Sequence, residues 1–206
     1  MGPAETAEAA AALNPAPAAR KRPRPGERRV QILQCLAGML EDGGVERITT
    51  AALAQRLRVS EAALYRHFAS KAQMFDALIE FIETSVFGLI NQIAAQHDSG
   101  LVQAQRTVQA LLAFAERNPG LCRLLAGDVL AGEHARLQQR VDRFFERVES
   151  ALRHSLRLAL QQQPPLAFDP AQRAQWLMTY AGGCLWRVAH RRGGADADGA
   201  LLALLA

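Results

Sequence analysis

The sequence predicts an all-α fold in which a short helix-turn-helix unit is followed by a larger helical body. Apolar residues recur at the three- and four-residue spacing of helices along most of the chain. Ser, Thr or Asp stands where several periodic stretches begin, and Asp42-Gly43-Gly44, Asn118-Pro119-Gly120 and Pro164-Pro165 interrupt them. With 206 residues, the chain is long enough for one or two domains with a buried core.

The helix-turn-helix prediction rests on residues 49 to 71, which read TTAALAQRLRVSEAALYRHFASK. Thr49 or Thr50 can cap a first short helix, and Ser60 can cap a second one. In the second helix, Leu64 and Phe68 are four residues apart and therefore face inward together. The sequence thus predicts two short helices joined by a tight turn.

The outward side of the second helix has small residues at its start and aromatic and basic residues at its end. Small residues let a backbone approach base edges, and the aromatic and basic side chains can reach phosphates. A short amphipathic helix pair shares part of this pattern, but the caps, the small face and the basic ending together favour DNA binding. The predicted DNA-binding residues are Thr49, Thr50, Arg58, Ser60, Glu61, Ala62, Ala63, Tyr65, Arg66, His67 and Lys71.

Positive charge is concentrated near the N-terminal end. Residues 20 to 71 include eleven basic and five acidic residues, whereas the remainder has thirteen basic and fifteen acidic ones. Such a basic arm beside a helix-turn-helix favours contact with phosphates or the minor groove, and a merely solubilising tail is the alternative. Residues 1 to 19, rich in alanine and proline, are predicted to be disordered, and they lack the features of a signal peptide.

Three segments are predicted. Residues 1–25 form a disordered segment that ends in the basic arm, residues 26–71 form the DNA-binding domain with its helix-turn-helix at about 49–68, and residues 72–206 form an all-helical dimerisation and partner-binding domain. The first helix runs from about Gly26 to Glu41, with an apolar stripe of Val30, Leu33, Leu36, Ala37 and Leu40.

A long helix from Ser70 to about Gln96 joins the two domains. Its main apolar stripe, which includes Phe75 and Ile79, predicts a core face, and a second stripe that includes Phe81 lies to one side. The residues alone leave open whether Phe81 is buried or exposed. Further helices are predicted up to about Arg117, over about 132–163, and over about 169–192.

The run VSEAALYRHFASK resembles the recognition helix and exit of TetR-type regulators. Together with ITTAALAQRL, MFDALIEFIE and ERNPGL, it resembles the nucleoid occlusion factors, a branch of that family, over roughly residues 28 to 160. One departure is Arg58, which stands where the family has a glycine. If Arg58 is left-handed, its side chain costs about 1 kcal/mol, and contact with a phosphate is a hypothesis for what offsets this.

The resemblance implies a TetR-like fold and a homodimer, formed through the C-terminal helices, that binds palindromic double-stranded DNA in the cytoplasm at the nucleoid. It also implies that the dimer engages the division protein FtsZ and blocks its assembly over the chromosome. Phe81, Arg117 and Asn118 match the family's FtsZ surface, whereas Leu89 stands where members carry a charge.

The helix predicted over about 169–192 is expected to contribute the dimer interface through one broad apolar side. That side comprises Trp176, Leu177, Tyr180, Ala181, Cys184, Leu185 and Val188, and the pair Gly182-Gly183 would allow close backbone approach.

Other functional classes receive less support from the residues. The sequence has no nucleophile elbow, glycine-rich phosphate loop or paired-carboxylate motif, so we expect no enzyme, cofactor or metal site. The three cysteines are far apart and predict buried thiols in a reducing compartment, and no apolar run is long enough to predict a membrane span. A ligand-responsive TetR-type repressor is the main alternative, and a plain nucleoid-packing protein is a further one.

Overall fold

The computed structural model describes residues 26–42, 48–130, 135–164 and 167–191, which contain eight α-helices and one short 3-10 helix. The helices are α1 (Glu27–Asp42), α2 (Thr50–Leu57), α3 (Glu61–Tyr65), α4 (Lys71–Gln96), α5 (Gly100–Arg117), α6 (Pro119–Leu125), α7 (Ala135–Gln162) and α8 (Pro170–Ala189), with the 3-10 helix Asp128–Leu130 between α6 and α7. The predicted N-terminal arm and the residues after 191 lie outside the described ranges.

Helices α1 to α3 form the head of the molecule, and its predicted caps are confirmed. The Thr49 side chain accepts from the Ala52 amide at 3.1 Å, and the Ser60 side chain accepts from the Ala63 amide at 3.3 Å. These contacts satisfy backbone donors that have no partner within the helix. Leu64 and Phe68 are each only 1% exposed, so both face inward as predicted, although α3 ends at Tyr65 and Phe68 lies just beyond it.

The turn between α2 and α3 contains a left-handed residue, which fulfils the condition that the sequence analysis set for Arg58. Arg58 has φ 54° and ψ 50°, and its amide donates to the Gln55 carbonyl at 3.0 Å. Helices commonly end in this conformation, which favours glycine because an L side chain is crowded there. The short α2–α3 connection therefore depends on a conformation that is costly for arginine.

Helices α4 to α8 form the body. Helix α5 packs against α4, α7 and α8, while α6 packs against α1 and α8. Gly100 marks the closest approach of α5 and α7, because a Cβ atom there would lie under 3.0 Å from the Ser155 carbonyl and the Ala159 amide. The fold thus requires glycine at the start of α5.

An ion-pair cluster joins α7 to the first half of α4. Arg140 donates to both carboxylate oxygens of Glu83, at 2.6 and 3.2 Å, and to Asp76 at 2.9 Å. The hydrogen bond with Glu83 is the main reason that the pKa of Arg140 is raised above its ordinary value. Since α4 carries the head at its N-terminal end, this cluster helps fix the head to the body.

Helix α4 is the one described helix that is long and apolar enough to cross a membrane by length and composition. It also packs against α1, α5 and α7, and its buried residues include Phe75, Ile79 and Ile82. Core helices of water-soluble proteins meet the same criterion, so this is weak support for a membrane span.

The apolar side of α8 differs from its sequence-based interpretation. Leu177, Ala181, Cys184, Leu185 and Val188 were expected at a subunit interface, but they are buried within the chain, where α8 packs on α5, α6 and α7. The exposed aromatic residues of α8 are instead Trp176 and Trp186. The periodicity identified an apolar side but could not distinguish an internal contact from an external one.

We predict that Gly100→Ala destabilises the protein by about 1–3 kcal/mol, because the added methyl group meets the backbone of α7. Gly88→Ala is the matched control, since a Cβ at this exposed helical position has no neighbour within 4 Å. That control should gain up to about 1 kcal/mol. Urea unfolding at one fixed protein concentration measures both changes, and equal stabilities for the two variants would contradict the packing described for Gly100.

Candidate DNA-binding face and head–body groove

The predicted DNA-binding residues lie on α2, on α3, in the segments that flank these helices and at the start of α4. Most are exposed, whereas Thr50, Ala63 and Lys71 are half-buried. Tyr65 is 47% exposed, which is high for an aromatic side chain and leaves its ring available to a partner. The exposed members are Thr49, Arg58, Ser60, Glu61, Ala62, Tyr65, Arg66 and His67.

Polar contacts connect α2 to the outward side of α3. Thr50 Oγ1 donates to Glu61 Oε2 at 2.7 Å, and Tyr65 Oη lies 3.5 Å from Thr50 Oγ1. The first contact is a strong hydrogen bond because the acceptor is a carboxylate, whereas the second is at the limit of hydrogen bonding. These contacts hold both helices in one orientation and position the Tyr65 hydroxyl on the outer face.

Arg29 of α1 braces the end of α3, a role that the sequence did not predict. Its Nη1 donates to the His67 carbonyl at 2.9 Å, and its guanidinium lies 4.1 Å from the centre of the Phe68 ring. A cation over an aromatic face is a favourable contact. Arg29 therefore contributes to the orientation of the recognition helix rather than only to the charge of the arm.

The basic side chains of the head differ in whether a carboxylate of the chain already neutralises their charge. Arg56 forms an ion pair with Asp42, and this hydrogen bond raises the pKa of Arg56. Among the described residues, Arg58 and Arg66 have no carboxylate within ion-pair distance, and both are exposed. Lys71 Nζ lies 5.3 Å from the centre of the Phe75 ring. Arg58 and Arg66 are thus the better placed to meet phosphates.

A groove of about 510 Å³ lies where α1 meets α4 and the α5–α6 junction. We call it the head–body groove because α1 belongs to the head and the opposite wall to the body. Its exposed lining is mostly apolar. The lining residues are Val30, Leu33, Gln34, Ala37, Gly38, Glu41, Leu78, Phe81, Arg117, Asn118, Gly120 and Leu121.

The three residues predicted for the partner surface all line this groove. Phe81 is 52% exposed, so the second stripe of α4 is not simply core at this position. Arg117 Nε donates to the Ala113 carbonyl at 2.9 Å, and Asn118 Nδ2 donates to the Phe114 carbonyl at 2.8 Å. These contacts anchor both polar side chains to α5, at the edge of an apolar surface.

Helix α1 supplies a groove wall from residues that the sequence predicted only as part of an apolar stripe. Val30 is 53% exposed, and Leu33 and Ala37 are half-buried. The apolar stripe of α1 is wider than the surface that covers it, so one edge of the stripe remains open. The only sign of this wall in the sequence is the breadth of the apolar stripe of α1, because a broad stripe can extend beyond the surface that covers it.

Another cavity, of about 360 Å³, lies between α4, α5 and α7. Two of the buried polar side chains on its wall, Gln103 and Ser155, already bond within the chain. Gln103 Nε2 donates to the His97 carbonyl at 2.7 Å, and Ser155 Oγ donates to Gln103 Oε1 at 3.1 Å. These contacts account for the two polar groups by structure alone, so the cavity does not strengthen the ligand-responsive alternative.

Two of the thiols, those of Cys35 and Cys122, have environments that suppress their reactivity. Burial raises the pKa of Cys122 to about 12, and burial also raises the pKa of Cys35, although Arg56 opposes that change. A thiol with a raised pKa carries little nucleophilic thiolate at neutral pH. Across the described ranges, no three His, Cys, Asp or Glu side chains are grouped so that they could hold a metal ion.

Both the N-terminal and the C-terminal part of the chain match models of known protein families. Residues 32–78 match the model for bacterial regulatory proteins of the tetR family, and residues 98–192 match the SlmA-like model, a tetracyclin repressor-like C-terminal domain. The chain is 49% identical over 157 residues to the nucleoid occlusion factor SlmA of Alteromonas mediterranea, a match that covers 76% of this chain and 80% of that protein. Its counterpart in a Marinomonas species is 53% identical over 133 residues, covering 65% and 68%.

Solved structures agree with this fold. A TetR family transcriptional regulator, PfmR from Thermus thermophilus, superposes with a TM-score of 0.69 at 21% identity, covering 85% of this chain and 94% of that one. A TetR-family transcriptional regulator from a Rhodococcus species gives 0.71 at 19% identity, covering 87% and 97%. At these identities the likeness shows the fold alone, whereas the identity to the curated relatives shows the family. The chain belongs to the SlmA family of TetR-type proteins.

Proposed function

We propose that this chain is a nucleoid occlusion factor that binds chromosomal DNA as a dimer and blocks the assembly of FtsZ over the nucleoid. The observation that carries the proposal is the head–body groove, where Phe81, Arg117 and Asn118 line one apolar surface. The identity to relatives that are named nucleoid occlusion factors supports it. The protein acts in the cytoplasm, at the chromosome, and performs no catalysis.

The head provides the DNA-binding half of this function. Helix α3 enters the major groove, where the small residues Ala62 and Ala63 allow close approach to base edges. Arg58, Arg66 and Lys71 contact the phosphates beside it. Because Arg29 braces the end of α3, the recognition helix meets DNA in a fixed orientation.

Dimerisation provides a second DNA-binding head, which contacts the second half-site of the DNA. The dimer interface forms on the outer side of α7 and α8, where a shallow cavity is lined by residues that include Phe145, Met178 and Gly182. The exposed Trp176 and Trp186 lie on α8 as well. Exposed aromatic residues of this size are typical of interfaces. A two-fold dimer then binds a palindromic site, with the spacing of its half-sites set by the two heads.

The head–body groove provides the contact with FtsZ. Its apolar walls suit the apolar side chains of an extended peptide, and Arg117 at its edge suits a carboxylate. The C-terminal tail of FtsZ is the segment that we assign to it. Because none of the proposed DNA-contacting residues lines the groove, the protein binds DNA and FtsZ at separate sites.

We predict that Phe81→Ala weakens the binding of a labelled FtsZ C-terminal peptide at least about tenfold, because an exposed aromatic anchor is lost from the groove. Arg117→Ala should weaken it several-fold through loss of the cation. Fluorescence anisotropy of the labelled peptide measures both affinities.

Two matched controls belong to this experiment. Arg106→Ala removes an exposed arginine from the same helix as Arg117, and Tyr65→Ala removes an aromatic side chain of similar exposure from the head. Both should bind the peptide as the unaltered protein does. If the unaltered protein does not bind the peptide, or if Phe81→Ala binds it with full affinity, the assigned groove function is wrong.

For the DNA-binding face, we predict that Tyr65→Ala and Lys71→Ala weaken binding to specific and unrelated DNA alike, because each loses a phosphate contact. Gel-shift titrations at physiological salt provide the test, with Phe81→Ala as the control that should retain its affinity. Full affinity in both head variants would refute the assignment.

Arg58→Gly separates the backbone role of this residue from its charge. Glycine relieves the left-handed strain and should raise the free energy of unfolding by about 1 kcal/mol. If Arg58 contacts a phosphate, the slope of log affinity against log salt should fall in magnitude by about one. An unchanged slope would show that Arg58 does not contact the DNA backbone.

A further inference from the structure

The C-terminal turn of α1 is held by two arginines from distant parts of the body. Arg123 Nη1 donates to the Leu40 carbonyl at 2.9 Å, and Arg191 Nη2 donates to the Glu41 carbonyl at 2.6 Å. The last four carbonyls of a helix have no partner within it, and that end of the helix carries partial negative charge. Helix α1 has no basic residue in its own last turn, so the body supplies these two cations.

Arg191 reaches this position from a backbone conformation that arginine rarely adopts. It has φ 53° and follows His190, the residue that ends α8. Glycine is the usual residue in a left-handed position after a helix, because it has no Cβ atom to be crowded. A strained non-glycine residue is an indication that its side chain has a role. In this chain the Arg191 side chain bonds to the end of α1.

The turn that the arginines hold is also part of the head–body groove. Glu41 lines the groove, as do Ala37 and Gly38 one turn earlier, and Phe81 and Arg117 line it from the body. A shift of the end of α1 relative to the body would therefore change the width of the groove. The same shift would move the head, because α1 also carries Arg29, which braces α3.

We infer that Arg123 and Arg191 are positioning residues, which hold the C-terminal turn of α1 against the body and thereby fix the width of the head–body groove. They act on a bound segment through α1 and do not need to touch it. The inference rests on the proposed function only for the identity of that segment, the FtsZ peptide. The hold on α1 itself can be measured without any partner.

Hydrogen–deuterium exchange of the full chain tests whether the two arginines stabilise the last turn of α1. In Arg191→Gly and Arg123→Met, the amides of the last turn of α1 should exchange about tenfold faster than in the unaltered protein, while those of α7 should not change. Arg191→Lys keeps a cationic donor and should restore slow exchange. Arg106→Ala is the matched control, because it removes an exposed arginine of the body that makes neither contact with this turn.

The variants Arg191→Gly and Arg191→Lys distinguish a role of the Arg191 side chain from a role of its backbone conformation. If Arg191 only ended α8, glycine would serve at least as well and the exchange of α1 would not change. Unchanged exchange in Arg191→Gly, or equally fast exchange in Arg191→Lys, would overturn the inference.

Peptide binding then tests the consequence for the groove. Arg191→Gly should bind the labelled FtsZ peptide about tenfold more weakly, whereas Arg106→Ala should bind it with unchanged affinity. If the unaltered protein binds the peptide and Arg191→Gly binds it equally well, the inference fails and the proposed function stands. If the unaltered protein does not bind the peptide, the groove function fails, and exchange alone decides whether the arginines hold α1.

Discussion

The close contact between α1 and α6 is the constraint on which the rest of the structure depends. A Cβ atom at Gly120 would lie under 3.0 Å from the Ala37 carbonyl and the Glu41 amide, so only glycine allows α6 to approach this closely. The contact attaches the head to the body at a second place, in addition to the covalent link through α4. With two attachments, the recognition helix has a fixed orientation with respect to the body, and one apolar edge of α1 remains open beside Phe81.

Helix α1 consequently serves both proposed binding sites. Near its N-terminal end, Arg29 contacts the end of α3, and towards its C-terminal end, Ala37 and Glu41 line the groove. Any movement of α1 must affect both regions, because a helix of 16 residues behaves as one rigid element over this length. This arrangement suits the proposed function, in which DNA and a partner are bound at the same time. One helix contributes to both sites, and the two sites do not overlap.

The sequence predicted the features that depend on local chemistry. The caps at Thr49 and Ser60 and the burial of Leu64 and Phe68 are confirmed, because each follows from a residue and its immediate neighbours. Features that depend on the width of a packing surface could not be predicted. For this reason, the exposure of Val30 and the burial of Leu177, Ala181, Cys184, Leu185 and Val188 within the chain did not follow from the periodicity. The hydrogen bond from Arg191 to Glu41 spans 150 residues. The DNA-binding and FtsZ-binding roles of individual residues remain predictions.

In the proposed function, one dimer binds DNA and the FtsZ tail at the same time through two sites that share α1. The decisive experiment is native mass spectrometry with the full chain, a palindromic site that this protein selects from random DNA, and a synthetic FtsZ C-terminal peptide. We expect a complex in which each protein chain on the DNA carries one peptide. Displacement of the DNA as peptide is added, or a DNA-bound dimer that takes up no peptide, would contradict it.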